Sequence, residues 1–484
     1  MRKILMRAGA SLAAMVGILA GVLAYNTWAF TPQPVADATP YTLGADLDGA
    51  VQTLSRAVKL QTISNAGQQA DFDAFATLLN SEFPNIASNL ERLSLAENTL
   101  LNTWQGSDPG LAPVLLAAHS DVVPIAFGSL DRWTYSPFSG EIADGYVWGR
   151  GTLDNKGALI AIMATVEHLL STGFAPKRTV YLSFGGDEEI GGKGAQAVAD
   201  HLMSQGITLD WALDEGSFVL QDIIPGLDVP VASINLAEKG YVTVKLVARA
   251  PGGHSALPPR ITAVGRIARA VDRLQTTPVP GGLTDVSGAF FDRLGRHFSL
   301  EKRVLFANTW LFSPLLNSVL SDASTTNAML RTTTAPTMLA GSNKENVLAA
   351  EASATVNFRI HPRDSIDSVV AHVRATVDDP EIELVFSKHI SSEPSPVADE
   401  TSLGYAHIQT SITQAFGPLA TVPGLTIAAT DARHYAKAAK NAFRINPFKV
   451  TNDDIARFHG IDERLSIANL EAGMNFYGAL LTKQ

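Results

Sequence analysis

The chain has 484 residues, enough for two or three domains, and carries 37 Lys and Arg against 47 Asp and Glu. The resulting net charge of −10, with no conspicuous basic run, argues against a nucleic-acid partner. Apolar residues make up 46% and charged residues 17%, which excludes a disordered chain. Cysteine is absent, so disulfides, a thiol nucleophile and Cys-ligated metals are excluded as well. Any bound metal must be held by His, Asp and Glu.

The first 29 residues predict a signal peptide or a membrane anchor. Basic residues precede an uncharged apolar run over 8–24, which is about as long as a short spanning helix. The small-residue cleavage sites at 26–29 and 35–38 are poor, which favours an uncleaved anchor. Because basic flanks stay on the cytoplasmic side, we expect the rest of the chain outside the cytoplasm, on the periplasmic or extracellular side. Residues 30–46 are predicted to be a linker.

Beyond this linker the pattern predicts an α/β catalytic domain. Residues 114–118 and 179–184 are short apolar runs typical of buried strands, and residues 158–170 carry apolar side chains at helical spacing. Alternating strands and helices favour a mostly parallel sheet flanked by helices. We predict this domain over 47–237 and 393–484.

A smaller α+β lid domain with an antiparallel sheet is predicted over 238–392, where it interrupts the catalytic domain. Residues 352–360 alternate between apolar and polar, and the polar face continues to His361, which is typical of a half-solvated strand. Residues 365–377 have the pattern of an amphipathic helix. Residues 276–324 look irregular and are expected to form an insertion.

Two candidate site residues follow the first of these strands. His119 and Asp121 lie at i and i+2, so an extended backbone points both side chains the same way. A metal-binding histidine usually donates its second ring N–H to a carboxylate, so Asp121 would orient His119 or bind metal itself. Taken alone, the pair is more commonly a loop histidine with a capping aspartate.

Asp154 lies in a glycine-containing turn directly before the predicted helix 158–170. A helix N-cap is the simpler explanation for an aspartate there, although one residue can serve as both cap and ligand. Residues 187–189 are three consecutive carboxylates at a strand end, between glycine pairs. They form either a solvated acidic turn or a cation site, in which case one Glu binds metal and its neighbour moves protons.

Further acids and a second histidine complete the set of candidates. Asp214 and Glu215 end another apolar stretch, and His459 lies near the C-terminus. Ligands of open α/β sheets bind at the carboxyl ends of the strands. The sequence therefore predicts that these residues meet at one edge of the sheet.

Together, five separated motifs resemble the cocatalytic-zinc amidohydrolase family of aminoacylase, carboxypeptidase S and glutamate carboxypeptidase. The motifs are His119-Ser-Asp-Val-Val-Pro124, Gly149-Arg-Gly-Thr-Leu-Asp-Asn-Lys156, Asp187-Glu-Glu-Ile-Gly-Gly192, Leu213-Asp-Glu-Gly216 and His459-Gly-Ile-Asp-Glu-Arg464. Within the family, the chain is most similar to the N-fatty-acyl-amino-acid synthase/hydrolase branch. That likeness is carried by residues 308–312, 331–335 and 354–362 and by the insertion over 276–324.

The resemblance implies two zinc ions per chain, with Asp154 bridging them. One ion would be completed by a histidine and one acid of the Asp214/Glu215 pair, and which acid binds stays open. The implied ligands are His119, Asp154, Glu189, His459, and Asp214 or Glu215.

The resemblance also assigns catalytic roles. Glu188 would be the general base for a hydroxide that bridges the metals, and Asp121 would hold the first histidine ligand. From the lid, His254 would polarise the scissile carbonyl. Asn346 and Arg433 would bind the carboxylate end of the substrate.

Three departures from the family pattern remove no predicted metal ligand, and the second and third bear on substrate preference more than on catalysis. Gly186 stands where the family often has His, Asn346 begins Asn-Val-Leu-Ala in place of Asn-Val-Ile-Pro, and Arg433 lies in Asp-Ala-Arg-His in place of Asp-Ser-Arg.

The implied activity is zinc-dependent cleavage of the amide bond of N-acyl amino acids, N-fatty-acyl ones included, or of C-terminal peptide bonds. An exported carboxypeptidase or aminoacylase for short peptides is the alternative, and a non-catalytic binding protein is a remote one. The expected partners are a small-molecule substrate, a membrane through the N-terminal segment only, and a second copy through the lid.

Overall fold

The computed structural model describes residues 2–35, 39–64 and 67–484. Most of the candidate cleavage site at 35–38 lies outside the described residues.

Sixteen α-helices occur in the described residues. In chain order they are α1 Arg2–Ala29, α2 Leu47–Val58, α3 Gln69–Glu82, α4 Pro84–Asn89, α5 Lys156–Ser171, α6 Lys193–Ser204, α7 Ala263–Thr276, α8 Asp285–Gly295, α9 Leu300–Ala307, α10 Thr309–Asp322, α11 Ser324–Leu330, α12 Ile366–Val377, α13 Leu403–Phe416, α14 Ala432–Tyr435, α15 Asn452–Ile455 and α16 Ile467–Leu481.

Nineteen strands occur in the same residues. They are β1 Glu91–Ser94, β2 Leu100–Trp104, β3 Val114–His119, β4 Glu141–Ala143, β5 Tyr146–Trp148, β6 Val180–Gly185, β7 Leu209–Asp214, β8 Val219–Leu220, β9 Val231–Glu238, β10 Gly240–Arg249, β11 Gly253–His254, β12 Thr333–Ala340, β13 Val347–Leu348, β14 Glu351–Ile360, β15 Ile382–Val385, β16 Ala420–Thr426, β17 Ala439–Arg444, β18 Lys449–Val450 and β19 Arg464–Ser466.

The large sheet has ten strands in the order β1-β2-β6-β3-β7-β17-β9-β8-β18, with β16 paired to β9. Its centre, β6-β3-β7-β17, is parallel, and antiparallel strands flank that centre. Helix α5 is apolar nearly all round and is buried between the sheet and α16. The predicted mostly parallel sheet flanked by helices is confirmed.

A second, four-stranded sheet runs β12-β14-β10-β15 and is antiparallel throughout, as predicted. Helices α7 and α12 cover one face, where Val244, Phe358 and Val370 lie in a hydrophobic core separate from that of the large sheet. The outer face of β14 is half-buried, in agreement with its alternating pattern. The proposed boundaries of a lid at 238–392 stay a prediction.

The expectation that residues 276–324 are irregular is wrong. They contain three helices, α8 to α10, whose pattern is obscured because each is short and α10 contains Pro314. Phe290, Phe291 and Phe306 pack with Val422 of the large sheet. The segment therefore rests on the sheet that carries β3, β6 and β7.

The expectation that His361 lies on a solvated face is also wrong. Helix α8 covers this end of β14, and the imidazole is fully buried. Its Nε2 lies 2.9 Å from the Ser287 hydroxyl. The alternating pattern of β14 could not show a helix supplied by a distant part of the chain.

Helix α1 contains one stretch, Gly9–Ala29, that is long and apolar enough to cross a membrane, and this stretch is compatible with a signal sequence or an anchor. Its last turn is docked on the protein. Asn26 Nδ2 donates to Asn308 Oδ1 at 2.9 Å, and Thr27 is buried. Immediately after the helix, the guanidinium of Arg296 lies 4.4 Å from the ring centre of Phe30.

Candidate active site

The candidate residues meet at the carboxyl edge of the parallel strands. Strands β6, β3 and β7 are adjacent, and β3 and β7 end at His119 and Asp214. Strand β6 ends at Gly185 and leads into a short 3₁₀ turn, Glu188–Ile190. Parallel strands thus bring three separate motifs to one place, as the sequence predicts.

The first group that could hold a metal ion contains His119, Asp154 and Glu215. His119 Nε2 lies 2.9 Å from Asp154 Oδ1 and 3.7 Å from Glu215 Oε1. All three residues are buried. One imidazole nitrogen and two carboxylate oxygens form a donor set that suits zinc.

The second group contains Asp154, Glu189 and His459. His459 Nε2 lies 2.8 Å from Asp154 Oδ2 and 3.3 Å from Glu189 Oε1. Asp154 therefore belongs to both groups and turns one oxygen toward each histidine. It is not a helix cap, because α5 begins at Lys156 with Asn155 in the cap position.

Asp121 ties the first histidine to the acidic turn. His119 Nδ1 lies 3.0 Å from the Asp121 carbonyl and 3.3 Å from its carboxylate. The same carboxylate accepts the backbone N–H groups of Glu188 and Glu189, at 3.2 and 3.1 Å, and the Ser64 hydroxyl at 2.6 Å. Asp121 thus fixes both a ligand ring and the loop that carries two glutamates.

The three carboxylates at 187–189 have different surroundings. Asp187 is buried and accepts the backbone N–H groups of Lys193 and Gly194, at the start of α6. Glu188 and Glu189 are half-buried and face the groups described above. The turn is therefore not a simple solvated one, since Asp187 is buried and Glu189 lies 3.3 Å from His459.

Of the two adjacent acids at the end of β7, Glu215 lies in a ligand group and Asp214 in neither. Glu215 Oε2 accepts the side-chain amide of Asn155 at 3.2 Å, and Asn446 lies within 3.5 Å. Asp214 is buried beside them. The alternation of the strand end sends the two side chains in different directions.

Glu463 positions the turn that presents Asp154. It is fully buried, and its Oε1 accepts the backbone N–H groups of Gly151, Leu153 and Asp154 at 3.0 to 3.2 Å. Its other oxygen pairs with the Arg150 guanidinium at 2.5 Å. Sequence reasoning quoted Glu463 within the last motif but gave it no role.

Negative charge accumulates at this edge of the sheet. Burial, and then the Asp154 carboxylate, raises the pKa of Glu215 to about 7, and burial raises that of Asp214 to about 6. Burial opposes ionisation of Asp154, but hydrogen bonds from His119 and His459 outweigh it and lower its pKa. Buried like charges are costly unless a cation neutralises them, so the arrangement fits a metal site.

The carboxyl of Glu188 is harder to ionise than that of a solvated glutamate. Burial raises the pKa of its carboxyl well above the usual value, and nearby Glu215 and Asp154 raise it further, against the effect of His119. A general base works best when its pKa approaches the working pH. The effects of His119, Glu215 and Asp154 on its pKa indicate that the Glu188 carboxyl lies near the first ligand group.

The structure gives a physical reason for Gly186, where the family often has His. A Cβ at this position would lie 2.3 Å from the carbonyl oxygen of Glu97. The loop over residues 96–98 therefore occupies the space of a side chain. The departure does not affect any member of the two ligand groups.

Two predicted site residues from residues 238–392 are not brought to the ligand groups. His254, in β11, and Asn346, directly before β13, are exposed beside this separate two-stranded sheet, and the Asn346 carbonyl accepts the Ser255 N–H at 3.1 Å. His254 Nδ1 accepts the N–H of Ala256 at 3.1 Å. Their predicted roles need a different placement of this strand pair.

Arg433 lies closer to the ligand groups. Its guanidinium donates to the Gly191 carbonyl at 2.9 Å, just beyond the turn that carries Glu189, and lies 3.9 Å from the buried carboxylate of Glu238. Its neighbour His434 approaches the same carbonyl at 3.1 Å. Arg433 is thus held at the rim of the site, with its side chain partly exposed.

Fold and site together define a metal-dependent hydrolase of amide bonds, a metallopeptidase or amidohydrolase. Residues 115–483 match peptidase family M20/M25/M40. The chain belongs to this family, whose enzymes are metal-dependent.

Relatives that match nearly the whole chain support this family assignment. A probable carboxypeptidase S-like 2 of Dictyostelium discoideum is 40% identical, covering 96% of this chain and 92% of the relative. The N-fatty-acyl-amino acid synthase/hydrolase PM20D1 of Xenopus tropicalis is 38% identical, over 89% and 85%. The crystal structure of an M20 family metallo-carboxypeptidase from Sulfolobus solfataricus has the same fold, with a TM-score of 0.64 at 17% identity, over 89% of this chain and 98% of the other.

Proposed function

We propose that the chain is a two-zinc hydrolase that cleaves the amide bond of N-acyl amino acids, with long acyl chains among its substrates. The observation that carries the proposal is the placement of Asp154, whose two carboxylate oxygens face His119 and His459 separately. A carboxylate shared in this way can hold two metal ions about 3.5–4 Å apart, the arrangement of two-metal hydrolases.

Five residues would hold the metals: His119 and Glu215 on one side, Glu189 and His459 on the other, and Asp154 between them. Asp214 is assigned no metal, because it belongs to neither ligand group. When bound, zinc supplies Lewis acidity, which polarises a carbonyl and lowers the pKa of water to about 7. The histidine nitrogens and carboxylate oxygens that face one another are the atoms such ions require.

Glu188 would move the proton. It takes a proton from the attacking water and delivers it to the amine nitrogen that leaves as the amide bond breaks. A carboxyl whose pKa is raised by burial suits both steps, since it must accept and then release the proton. Asp121 supports this role by holding the backbone N–H of Glu188.

The remaining predicted residues would bind substrate. The Arg433 guanidinium offers a planar pair of donors to a free α-carboxylate at the rim of the site. His254, in β11, and Asn346, directly before β13, are both exposed, so we propose that residues 238–392 act as a lid whose closure brings them to the substrate. An N–H from His254 would then stabilise negative charge on the scissile carbonyl oxygen.

The choice of N-acyl amino acids rests on similarity to the synthase/hydrolase relatives. Similarity to carboxypeptidase S-like proteins supports a second candidate, a carboxypeptidase that removes C-terminal residues from short peptides. Both substrates have a free carboxylate beside the scissile amide, so the same site chemistry serves either. The two substrates differ in the group on the carbonyl side of the scissile amide, which is an acyl chain in one and the rest of a peptide in the other.

We also propose that the enzyme works outside the cytoplasm, tethered by α1. Basic residues at the start of the helix favour this orientation. The buried side chain of Thr27 and the hydrogen bond between Asn26 and Asn308 support retention of the helix, because cleavage at 26–29 would cut through this docking site.

The test is metal content and turnover of the full-length chain in detergent. We expect about two zinc ions per chain, and release of amino acid from N-acyl substrates with a preference for longer acyl groups. Preference for dipeptides would keep the mechanism and favour the carboxypeptidase. A protein that binds no zinc and gains no activity from added divalent metal would contradict the proposal.

A further inference from the structure

An apolar cavity of about 400 Å³ lies between the large sheet and the helices of residues 285–330. Phe218 of the sheet edge lines it on one side, and Phe290 of α8 and Met329 of α11 line it on the other. Its volume falls in the range of about 300–1,000 Å³ that is usual for ligand pockets. Among the described residues, no charged side chain lines it.

The cavity adjoins the metal-ligand groups through residues next to the ligands in the chain. Leu153 precedes Asp154, Gly216 follows Glu215, and Phe458 precedes His459, and all three of these neighbours line the cavity. The link is also a direct contact, because the ring of Phe458 stacks on that of His459 with centres 4.8 Å apart. Phe218 packs against Phe458 in a T-shaped arrangement, with ring centres 6.0 Å apart. One wall of the cavity is therefore in direct contact with His459, a candidate metal ligand.

Three polar side chains along the sheet side of the cavity, those of Ser217, Ser233 and Asn235, are engaged by the protein itself. Ser217 Oγ donates to the Arg444 carbonyl at 3.0 Å, and Ser233 Oγ donates to Asn235 Oδ1 at 2.6 Å. Asn235 Nδ2 in turn lies 2.9 Å from Thr426 Oγ1. Because these groups are already paired, a polar ligand would lose its hydrogen bonds to water on entry, whereas a hydrocarbon loses none.

We propose that this cavity binds the acyl chain of the substrate, an unbranched hydrocarbon chain whose carbonyl end lies at the metal-ligand groups. The inference rests on the proposed function and deepens it, since it names the place of the chain that separates N-fatty-acyl amino acids from peptides. The carboxylate end is kept out of the cavity because a charge would be desolvated there without a partner. It lies toward Arg433 instead.

A substitution in helix α11 would narrow the cavity without changing any residue of the two ligand groups. Thr325 is exposed on this helix and lines the cavity, whereas its exposed neighbour Ser324 does not. We expect Thr325→Trp to lower kcat/KM for an N-octanoyl amino acid at least tenfold and to leave the N-acetyl substrate unchanged. Ser324→Trp is the matched control and should change neither. An equal effect of Thr325→Trp on both substrates, or no effect on either, would overturn the proposal.

A photoreactive decanoic acid separates this proposal from the proposed function, because its labelling needs no hydrolysis. With the full-length chain in detergent, we expect cross-links at residues 325–329 and 455–458, reduced by excess decanoate and by Thr325→Trp. Labels confined to other segments would overturn the acyl site even if N-acetyl amino acids are hydrolysed. Labelling of these segments in a protein that hydrolyses no N-acyl amino acid would support the cavity and contradict the proposed function.

Discussion

Glu463 and Asp154 are joined by a hydrogen bond, in which the Glu463 carboxylate accepts the Asp154 backbone N–H at 3.2 Å across 309 positions of sequence. The same carboxylate holds two more N–H groups of the turn and the guanidinium of Arg150. Asp154, whose carboxylate would bridge the metals, is thus positioned by Glu463, a buried carboxylate that belongs to neither ligand group.

We therefore expect Glu463→Gln to destabilise the metal-free protein. Removing one partner of a buried ion pair typically costs about 3–5 kcal/mol, because it leaves the other charge buried and unpaired. The measurement is the melting temperature of zinc-depleted protein, which separates the effect of the turn from that of metal binding. The exposed Glu345→Gln is the control. A melting temperature equal to that of the wild type would show that Arg150 is satisfied in another way.

The two adjacent glutamates of the 3₁₀ turn should separate binding from proton transfer. Glu188→Gln should retain zinc and lower kcat by about 10²–10⁴-fold, because only the proton-transfer group is lost. Glu189→Gln should lose zinc, because it removes a member of a ligand group. Zinc content and turnover are measured on the same samples. Turnover near the wild-type level in Glu188→Gln would show that Glu188 is not the proton-transfer group.

A second adjacent pair decides which acid at the end of β7 is the ligand. Glu215 lies 3.7 Å from His119 Nε2, whereas Asp214 belongs to neither ligand group. We expect Glu215→Gln to lower zinc stoichiometry and Asp214→Asn to retain it. Loss of zinc in Asp214→Asn, with zinc retained in Glu215→Gln, would show that Asp214 is the ligand.

His361 should make stability depend on pH. Burial lowers its pKa to about 3, so between its unfolded value of about 6.5 and pH 3 the unfolded chain binds a proton that the folded chain does not. Stability is therefore lost as the pH falls through this window, by about 2 kcal/mol at pH 5 for this group. We expect the melting temperature to fall more between pH 7 and 5 in the wild type than in His361→Gln. Equal falls in the two proteins would show that His361 is protonated in the folded state.

The sequence predicts the residues of the site better than it predicts the elements that position them. His119, Asp154, Glu189 and His459 lie at strand ends or in motifs, and a parallel sheet brings such positions together. The helices within 276–324 and the positioning role of Glu463 were missed, because local patterns contain no information on partners hundreds of residues away. For the same reason the sequence could not choose between Asp214 and Glu215, which the direction of each side chain separates.

Placement of His459 and Glu463 at 305 and 309 positions after Asp154 has a consequence for biosynthesis. A nascent chain contains His119, Asp154 and Glu215 long before it contains either of these residues, so the second ligand group and the support of the Asp154 turn are completed much later than the first group. Until then a metal ion would meet only the first ligand group, in a turn that still lacks its support from Glu463. The proposed two-metal site would therefore be completed only when this late segment folds.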